Sequence, residues 1–233
     1  MLTLYQFEPV WGLPNASPFC MKLETYFRMT GLAYQTHSSD DVLRKAPKGK
    51  LPYIEDNGQI IADSNLILEY LKTTYGDPLD QHLSPPDTAI ALAMRRLLEE
   101  NLYWALVYSR WVDPKNWPQT KAVYFSDLPP ILRTIVSKIA LNQVTQNLKG
   151  HGMGRHTASE IYQIATLDLQ ALSDFLQDKR YFMGSQPTTL DASAYSVLAN
   201  ILNDTLVSPL RDQALQLQNL VAYCDRMHQA YYA

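Results

Sequence analysis

The chain of 233 residues contains only two cysteines, Cys20 and Cys224, which lie towards opposite ends of the sequence. Two cysteines so far apart do not form the disulfide framework that holds small secreted domains together, so that class of protein is excluded. A chain of this length also buries a sizeable hydrophobic core without such cross-links. The low cysteine content therefore predicts a cytoplasmic protein that keeps its thiols reduced.

Long apolar runs are also missing from the sequence. No run approaches the ~20 apolar residues that a membrane-spanning helix needs. The first residues, MLTLYQFEPVW, have neither the basic start nor the long apolar stretch of a secretory signal peptide. We therefore expect no membrane span.

The sequence has no excess of positive charge, because 20 Lys and Arg residues stand against 23 Asp and Glu residues. Proteins that bind nucleic acid usually concentrate basic residues, so no nucleic-acid partner is expected. No phosphate-binding glycine loop, dinucleotide fingerprint or Ser-His-Asp set is visible. His151 and His156 have no carboxylate or cysteine partners close by in the sequence, and therefore predict no metal site.

The most informative local pattern is KLPYIEDNGQIIADS at residues 50–64. It predicts a strand at 51–55, a tight turn at the Asp-Asn-Gly sequence 56–58, and a second strand at 59–62, because Asn and Gly tolerate the positive φ of hairpin turns. Pro52 cannot donate to a strand ladder and favours a strand start or a cis bond. A cis bond would leave the Leu51 backbone free to pair with an extended peptide.

Ser64 follows the second strand at the start of an apolar helical pattern. It is predicted to cap that helix, whose first backbone N–H groups would attract a carboxylate. A peptide-sized ligand would then meet the Leu51 backbone at one end and Ser64 at the other. The same residues also fit a purely structural hairpin followed by a capped helix.

The first 76 residues predict a mixed α/β domain. A strand at 2–7 precedes a helix that begins with Ser17 at the N-cap and Pro18 at N1 and stops at Gly31. A strand at 34–37, the hairpin and a closing helix follow. This order of elements is that of a thioredoxin-like fold.

Strand patterns end at a Pro- and Asp-rich linker, residues 77–87, and residues 88–233 predict an all-α helical bundle. Helices are expected at 88–112, 130–149 (closed by Gly150), 160–177, 192–202 and 209–231, with a break at 113–118. Thr188 and Asp191 have the spacing of a capping box, with Asp in place of the commoner Glu, ahead of the nearly apolar helix 192–202.

A thioredoxin-like half followed by a helical half resembles the glutathione S-transferase superfamily, and this resemblance covers the whole chain. Four segments carry it: Ser17-Pro18-Phe19-Cys20, residues 46–52 (APKGKLP), Asp63-Ser64, and residues 188–191 (TTLD). Within the superfamily the segments SPFCMKLETYFRMTG, EENLYWALVYSRW and HGMGRH resemble the metaxin and failed-axon-connections branch. The resemblance implies glutathione as co-substrate, no metal, and a homodimer.

The resemblance also implies roles for the site residues. Ser17 would donate its hydroxyl to the glutathione thiolate, although Ser17 also fits a helix cap with no further role. Lys50, Leu51 and Pro52 would hold the middle and the glycine end of the tripeptide. Asp63 and Ser64 would bind its γ-glutamyl end.

Cys20 at the third helical position supports a weaker alternative, a glutathione-dependent thiol redox enzyme. Ser17 stands where a redox Cys-x-x-Cys motif has its first cysteine, so a two-cysteine cycle is impossible. Cysteine is also among the residue types most often buried, which favours a packed structural thiol.

Aromatic residues crowd the segment 103–124, and four of them are candidates for an apolar pocket that receives the electrophile: Tyr103, Trp104, Tyr108 and Trp111. Aromatic residues at helical spacing also fit a plain core. Two main functions follow. The chain is a transferase that joins glutathione to a small hydrophobic electrophile, or it is a non-catalytic metaxin-like module that binds glutathione or protein partners.

Overall fold

The computed structural model describes residues 1–39 and 41–233, and its first part is a mixed sheet covered by helices. Across the sheet the strands follow the order β2-β1-β3-β4, with β1 parallel to β2 and β3 antiparallel to both β1 and β4. The elements are β1 Thr3–Tyr5, α1 Pro18–Thr30, β2 Gln35–His37, α2 Val42–Lys45, β3 Tyr53–Asp56, β4 Gln59–Ala62 and α3 Ser64–Tyr75. This arrangement confirms the predicted thioredoxin-like fold.

The hairpin between β3 and β4 turns through Asn57 and Gly58, which both have positive φ, at 49° and 83°. A two-residue turn of this kind matches the twist of the two strands. The Leu51–Pro52 bond is cis. The strand begins at Tyr53 rather than at residue 51 as predicted, because Pro52 has no N–H to give to the ladder.

Helix α1 begins and ends where the sequence predicts. Ser17 is the N-cap and Pro18 occupies the first turn, where no N–H is needed. Gly31 closes the helix at a φ of 71°, a conformation that glycine adopts without a steric penalty. Most of the helix is buried between the sheet and the helices that follow.

The second part of the chain is helical, as predicted. Its elements are α4 Pro85–Arg96, α5 Tyr103–Val107, α6 Trp117–Phe125, α7 Pro130–His151, α8 Ala158–Leu176, α9 Thr189–Leu202, α10 Pro209–Gln216 and α11 Gln218–Tyr231. A π-helical segment, Leu97–Leu102, joins α4 to α5, and a second one, Tyr108–Val112, extends α5, so residues 85–112 form one continuous helical stretch. A 3-10 turn, Met153–Arg155, precedes α8.

Three details of the helical half differ from the prediction. Helix α6 was not predicted, although Pro118 lies in its first turn, where proline is tolerated. Helix α7 continues past Gly150 and ends at Gly152, which has the positive φ of 109°. The region predicted as the last helix contains two helices, which meet at Leu217, where ψ is 79°. The sequence did not reveal this break, because the apolar periodicity continues across it and neither Gly nor Pro marks it.

The two halves share their hydrophobic cores through the contact between α1 and α9. Met21 of α1 belongs to the core of the helical half, while Ala192 of α9 belongs to the core beside the sheet. The domain limits 1–76, 77–87 and 88–233 stay predictions. Within the described residues, no helix is long and apolar enough to cross a membrane.

Candidate functional site

Ser17 lies at the N-terminus of α1 with its side chain partly exposed. Its Oγ accepts a hydrogen bond from the Cys20 backbone N–H at 3.4 Å, which is long for such a bond. This bond uses a lone pair of the oxygen, so the hydroxyl proton is still available for donation. The cap and the predicted donation to a thiolate are therefore compatible.

The backbone before Ser17 is held by Asn15, which is fully buried. The Asn15 side-chain amide donates to the Phe7 carbonyl at 2.7 Å, and its oxygen accepts from the Ser17 N–H at 2.9 Å. These two bonds hold the turn before α1 against the backbone that follows β1.

Arg110 and Asn200 reach the same backbone from the helical half. The Arg110 guanidinium donates to the carbonyl of Ala16, the residue before Ser17, and to the Asn200 side-chain oxygen. The Asn200 amide in turn donates to the Asn15 carbonyl at 3.3 Å. Both side chains are buried, so the two halves of the chain together define the position of Ser17.

The predicted ligand edge at Leu51 is in the sheet half, where Leu51 and Cys20 of the Ser17 turn belong to one apolar cluster. Leu51 and Pro52 are buried, and both precede the paired part of β3. Lys50 is exposed, which leaves its ammonium group free to approach a carboxylate.

The start of α3 differs from the prediction that Ser64 is its cap. Asp63 is the N-cap, at a φ of 90°, and its Oδ1 accepts from the Asn65 and Leu66 N–H groups at 2.9 and 3.2 Å. A carboxylate at this position caps a helix better than the serine that follows it, because it also interacts favourably with the helix dipole. Ser64 is the first residue of the helix and is largely buried.

Cys20 is fully buried beneath the Ser17 turn. Burial raises the pKa of its thiol to about 12, even though the hydrogen bond with Ser17 acts in the opposite direction. A thiol that stays protonated and has no exposed surface is a poor nucleophile. This geometry disfavours the predicted redox role and favours a packed structural thiol.

The four predicted pocket aromatics do not form a single cluster. The Tyr103 ring packs against Phe19 of α1 at a centroid distance of 4.8 Å, next to the Ser17 turn. Trp104 contacts the Tyr103 ring edge-on at 5.5 Å and also stacks on His151, whereas Tyr108 packs against Tyr162. A helix sends neighbouring side chains in different directions, so a run of aromatics in the sequence is shared between two faces.

Trp111 packs in a row with two aromatic residues, Tyr124 and Trp11, that were not among the predicted pocket residues. It stacks on Tyr124 of α6 at 5.3 Å, and Tyr124 meets the Trp11 ring edge-on at 5.8 Å. The contacts give two aromatic groups: Tyr103 packs on Phe19 of α1, while Trp111, Tyr124 and Trp11 form a row whose Trp11 ring lies on Arg110, the residue bonded to the Ala16 carbonyl. We refer to these five side chains as the aromatic wall. Tyr124 lies inside the aromatic-rich segment 103–124, which was the only sequence signal for it.

A buried ion pair lies behind the site. Lys22 of α1 donates to Glu99 at 2.8 Å and to the Asn65 side chain at 3.0 Å, and Ser193 of α9 also donates to Glu99 at 2.8 Å. Burial raises the Glu99 pKa, but the Lys22 charge and these hydrogen bonds outweigh burial and hold the pKa below its ordinary value. Lys22 thus joins the two halves of the chain.

Sequence reasoning missed this pair and the contacts of Asn15, Arg110 and Asn200. Lys22 and Glu99 are 77 residues apart in the sequence, Arg110 and Ala16 are 94 apart, and Asn200 and Asn15 are 185 apart. No local pattern carries such information.

The two histidines around the end of α7 each contact a neighbouring side chain. His151 stacks on Trp104 with centroids 4.8 Å apart. His156 lies 3.9 Å from Glu160, a carboxylate partner that the sequence analysis did not expect. Among the described residues, no group of three or more metal-ligating side chains comes together.

A groove of about 470 Å³ lies between residues 9–14 and the C-terminal helix, where it is bordered by His228 and Tyr232. Trp11 is shared between this groove and the aromatic wall, but Ser17, Leu51 and Ser64 do not border the groove. The groove is therefore separate from the predicted glutathione edge.

Comparison with known proteins identifies the family. Residues 18–116 match the glutathione S-transferase N-terminal domain, and residues 165–227 match the glutathione S-transferase C-terminal domain. The isoprene-epoxide glutathione S-transferase of Rhodococcus sp. (strain AD45) is 35% identical over 237 residues, which cover 99% of both chains. The chain belongs to the glutathione S-transferase superfamily.

Two further relatives confirm the predicted resemblance to the metaxin and failed-axon-connections branch of this superfamily. Failed axon connections of Drosophila melanogaster is 36% identical over 97% of this chain and 57% of its own length. Metaxin-1 of Macaca fascicularis is 30% identical over 99% of this chain and 75% of its own length.

Solved structures confirm the transferase fold at low sequence identity. A glutathione transferase of Phanerochaete chrysosporium aligns with a TM-score of 0.67 at 17% identity, covering 100% of this chain and 97% of its own. The beta-etherase of Sphingobium sp. strain SYK-6 aligns with a TM-score of 0.65 at 15% identity, covering 97% and 94% of the two chains.

Proposed function

We propose that this transferase-superfamily chain binds glutathione between Leu51 and Ser64 and conjugates its sulfur to a small hydrophobic electrophile at Ser17. The observation that carries the proposal is the Ser17 hydroxyl, which lies partly exposed at a helix N-terminus and uses only a lone pair of its oxygen for the cap. A free thiol of this type has a pKa of ~8.5, and a hydrogen-bond donor together with the helix dipole lowers it. Glutathione would then be largely ionised near neutral pH.

The tripeptide is proposed to lie along the edge of the sheet. The Leu51 backbone beside Pro52 would pair with its cysteinyl part, and Lys50 would attract the glycine carboxylate. Ser64 would bind the γ-glutamyl carboxylate through its hydroxyl and its backbone N–H, which the Asp63 cap does not use. The free Oδ2 of exposed Asp63 would receive the γ-glutamyl amine.

The electrophile is proposed to lie against the aromatic wall, with Tyr103 and Trp111 retained from the predicted set. Apolar aromatic surfaces with few polar groups suit a small hydrophobic co-substrate. The Rhodococcus relative is named for an isoprene epoxide, which supports an epoxide as the class. The thiolate would attack a ring carbon, forming a C–S bond while the C–O bond breaks and the oxygen takes up a proton.

The alternative is a non-catalytic glutathione-binding or protein-interaction module. The identity to Failed axon connections and to Metaxin-1 supports this alternative. The buried, protonated Cys20 gives the redox alternative no support. A homodimer and a cytoplasmic location stay predictions.

Calorimetric titration with reduced glutathione tests the binding site. We expect saturable binding to the wild type and about tenfold weaker binding to Ser64→Ala, because hydrogen bonds to a charged group contribute ~1.5 kcal/mol or more. Ser185→Ala, which alters an exposed serine outside the site, should bind like the wild type. If millimolar glutathione releases no heat with the wild type, the transferase proposal fails and a search for protein partners takes its place.

A further inference from the structure

Arg110 is a buried arginine, only 5% exposed, and none of the described carboxylates forms a salt bridge with it. Its hydrogen bonds go to uncharged oxygens of Ala16 and Asn200, and its Nε has no hydrogen-bond partner among the described residues. Burial lowers the pKa of Arg110 to about 10, so the group is charged at neutral pH. A buried charge without a counter-ion is costly, and such a site favours the arrival of a negative group.

The groups that face Arg110 do not neutralise it. Tyr103 of α5 and Tyr124 of α6 are the nearest titratable groups, and burial raises the pKa of both phenols. The Trp11 ring lies against the guanidinium at 5.1 Å, and Asn200 of α9 covers another side. At neutral pH all of these partners are uncharged, so the positive charge of Arg110 is uncompensated.

The local backbone supports a role beyond packing. Arg110 lies in the π-helical segment Tyr108–Val112, and π-helical turns occur frequently at functional sites. The Thr120 hydroxyl of α6 donates to the Arg110 carbonyl at 2.7 Å, and Asn116 donates to the carbonyl of Ser109 at 3.0 Å. These bonds satisfy backbone groups of the irregular segment and hold the Arg110 side chain in its position.

Hydrogen bonds connect Arg110 to the Ser17 turn, where the glutathione thiol is proposed to be activated. Arg110 binds the carbonyl of Ala16, directly before Ser17, and Asn200 binds the carbonyl of Asn15. Asn15 then accepts from the Ser17 N–H. The helical half thus holds all three residues of the turn that presents the Ser17 hydroxyl.

We propose that Arg110 is a positioning residue of the transferase site, which holds the Ser17 turn through the Ala16 carbonyl and stabilises the glutathione thiolate with its uncompensated charge. This inference rests on the proposed function. It assigns to the helical half a part in activating the thiol, in addition to its contribution to the aromatic wall.

Two variants separate the charge from the geometry. Arg110→Gln keeps a hydrogen-bond donor but removes the charge, whereas Arg110→Lys keeps the charge but cannot span both Ala16 and Asn200. The ultraviolet absorbance of the thiolate is followed against pH with saturating glutathione, and kcat and KM are measured with a small epoxide. For Arg110→Gln we expect the midpoint pH of ionisation to rise by about one unit and kcat at neutral pH to fall about tenfold, with KM for glutathione changed less than about threefold.

For Arg110→Lys we expect a midpoint close to that of the wild type and a kcat lowered about threefold, because the Ser17 turn is held less firmly. Arg211→Gln is the matched control, since Arg211 also donates from a partly buried position to a backbone carbonyl, that of Leu202. The control should leave the midpoint unchanged. Circular dichroism and melting temperature verify the fold of each variant.

The outcomes distinguish this inference from the proposed function. If the wild type ionises glutathione and Arg110→Gln does so at the same pH with the same kcat, the role of Arg110 is refuted and the transferase proposal stands. An equal shift in Arg211→Gln would refute it too. If Arg110→Gln does not fold, Arg110→Lys decides: a wild-type kcat refutes the positioning role. A wild type that binds no glutathione refutes both proposals.

Discussion

At the scale of single residues, Ser17 and Cys20 show how three positions along one helix separate two chemical roles. Ser17 is the N-cap and keeps partial exposure, whereas Cys20 points into the core and is fully buried. The helix N-terminus favours negative charge at both positions, but burial dominates for Cys20 and raises the pKa of its thiol to about 12. The proposed chemistry at this turn therefore uses Ser17 rather than Cys20.

Substitution of the two residues tests this division. Ser17→Ala should lower kcat for conjugation about tenfold or more, because it removes a hydrogen bond of ~1.5 kcal/mol to a charged sulfur. Cys20→Ala is the control and should keep most of the kcat, although it lowers the melting temperature by leaving a small cavity. Steady-state kinetics with glutathione and an epoxide measure both. Loss of activity in Cys20→Ala, with Ser17→Ala unaffected, would revive the redox alternative.

At the scale of elements, two capping boxes of the same design lie in different surroundings. Thr157 and Glu160 cap α8 at the exposed surface, while Thr188 and Asp191 cap α9 in the core. Asp191 accepts from the Phe182 and Thr188 N–H groups and from the hydroxyls of Thr188 and Tyr223. The buried box thus fixes the helix that carries Asn200 and Ser193.

The two boxes should differ strongly in their contribution to stability. Asp191→Ala leaves buried donors unpaired and should lower the free energy of unfolding by about 3 kcal/mol or more. Glu160→Ala frees donors that are already exposed and can bind water, so it should lower the free energy of unfolding much less. Urea unfolding followed by circular dichroism measures both variants. Equal losses would contradict the view that burial decides the value of a cap.

At the scale of the whole molecule, buried polar contacts join the two halves in addition to the shared apolar core. Lys22, Asn65, Glu99 and Ser193 form one network that draws residues from α1, α3, the helix after α4, and α9. Thr189 also donates its backbone N–H to Asp80 at 2.8 Å. We expect the two halves to unfold together.

Removal of one member of this network should be costly. Glu99→Gln leaves the Lys22 ammonium buried without its counter-ion and should lower the free energy of unfolding by about 3 kcal/mol. Glu100→Gln is the matched control, because Glu100 is an exposed neighbour that pairs with Arg96 on the surface, and it should change stability little. Urea unfolding compares them. Similar stability of the two variants would contradict the assigned role of Glu99.

The same network predicts a pH dependence of stability. The pKa of Glu99 is lower in the folded chain than its ordinary value of 4.5, so between these two values the unfolded chain binds more protons. The contribution of Glu99 is therefore complete above pH ~4.5 and is lost as the pH falls through the folded pKa. Unfolding curves between pH 7 and pH 3 measure it, and the fall should be smaller in Glu99→Gln.

The sequence alone determined the fold class and those site features that depend on local pattern. The Asn57-Gly58 turn, the Ser17 cap, the Gly31 stop and the Thr188 capping box were predicted from neighbouring residues, and the structure confirms each of them. Local rules succeed here because turn and cap geometry depends on contacts within a few residues.

Only the tertiary structure decided which residues meet across the chain. It divided the aromatic segment between two faces, replaced Ser64 by Asp63 as the cap of α3, and brought Arg110 to the Ala16 carbonyl. It also buried Cys20 and paired Lys22 with Glu99. The physical reason is that burial and charge compensation depend on the packing of distant elements, which no local sequence pattern records.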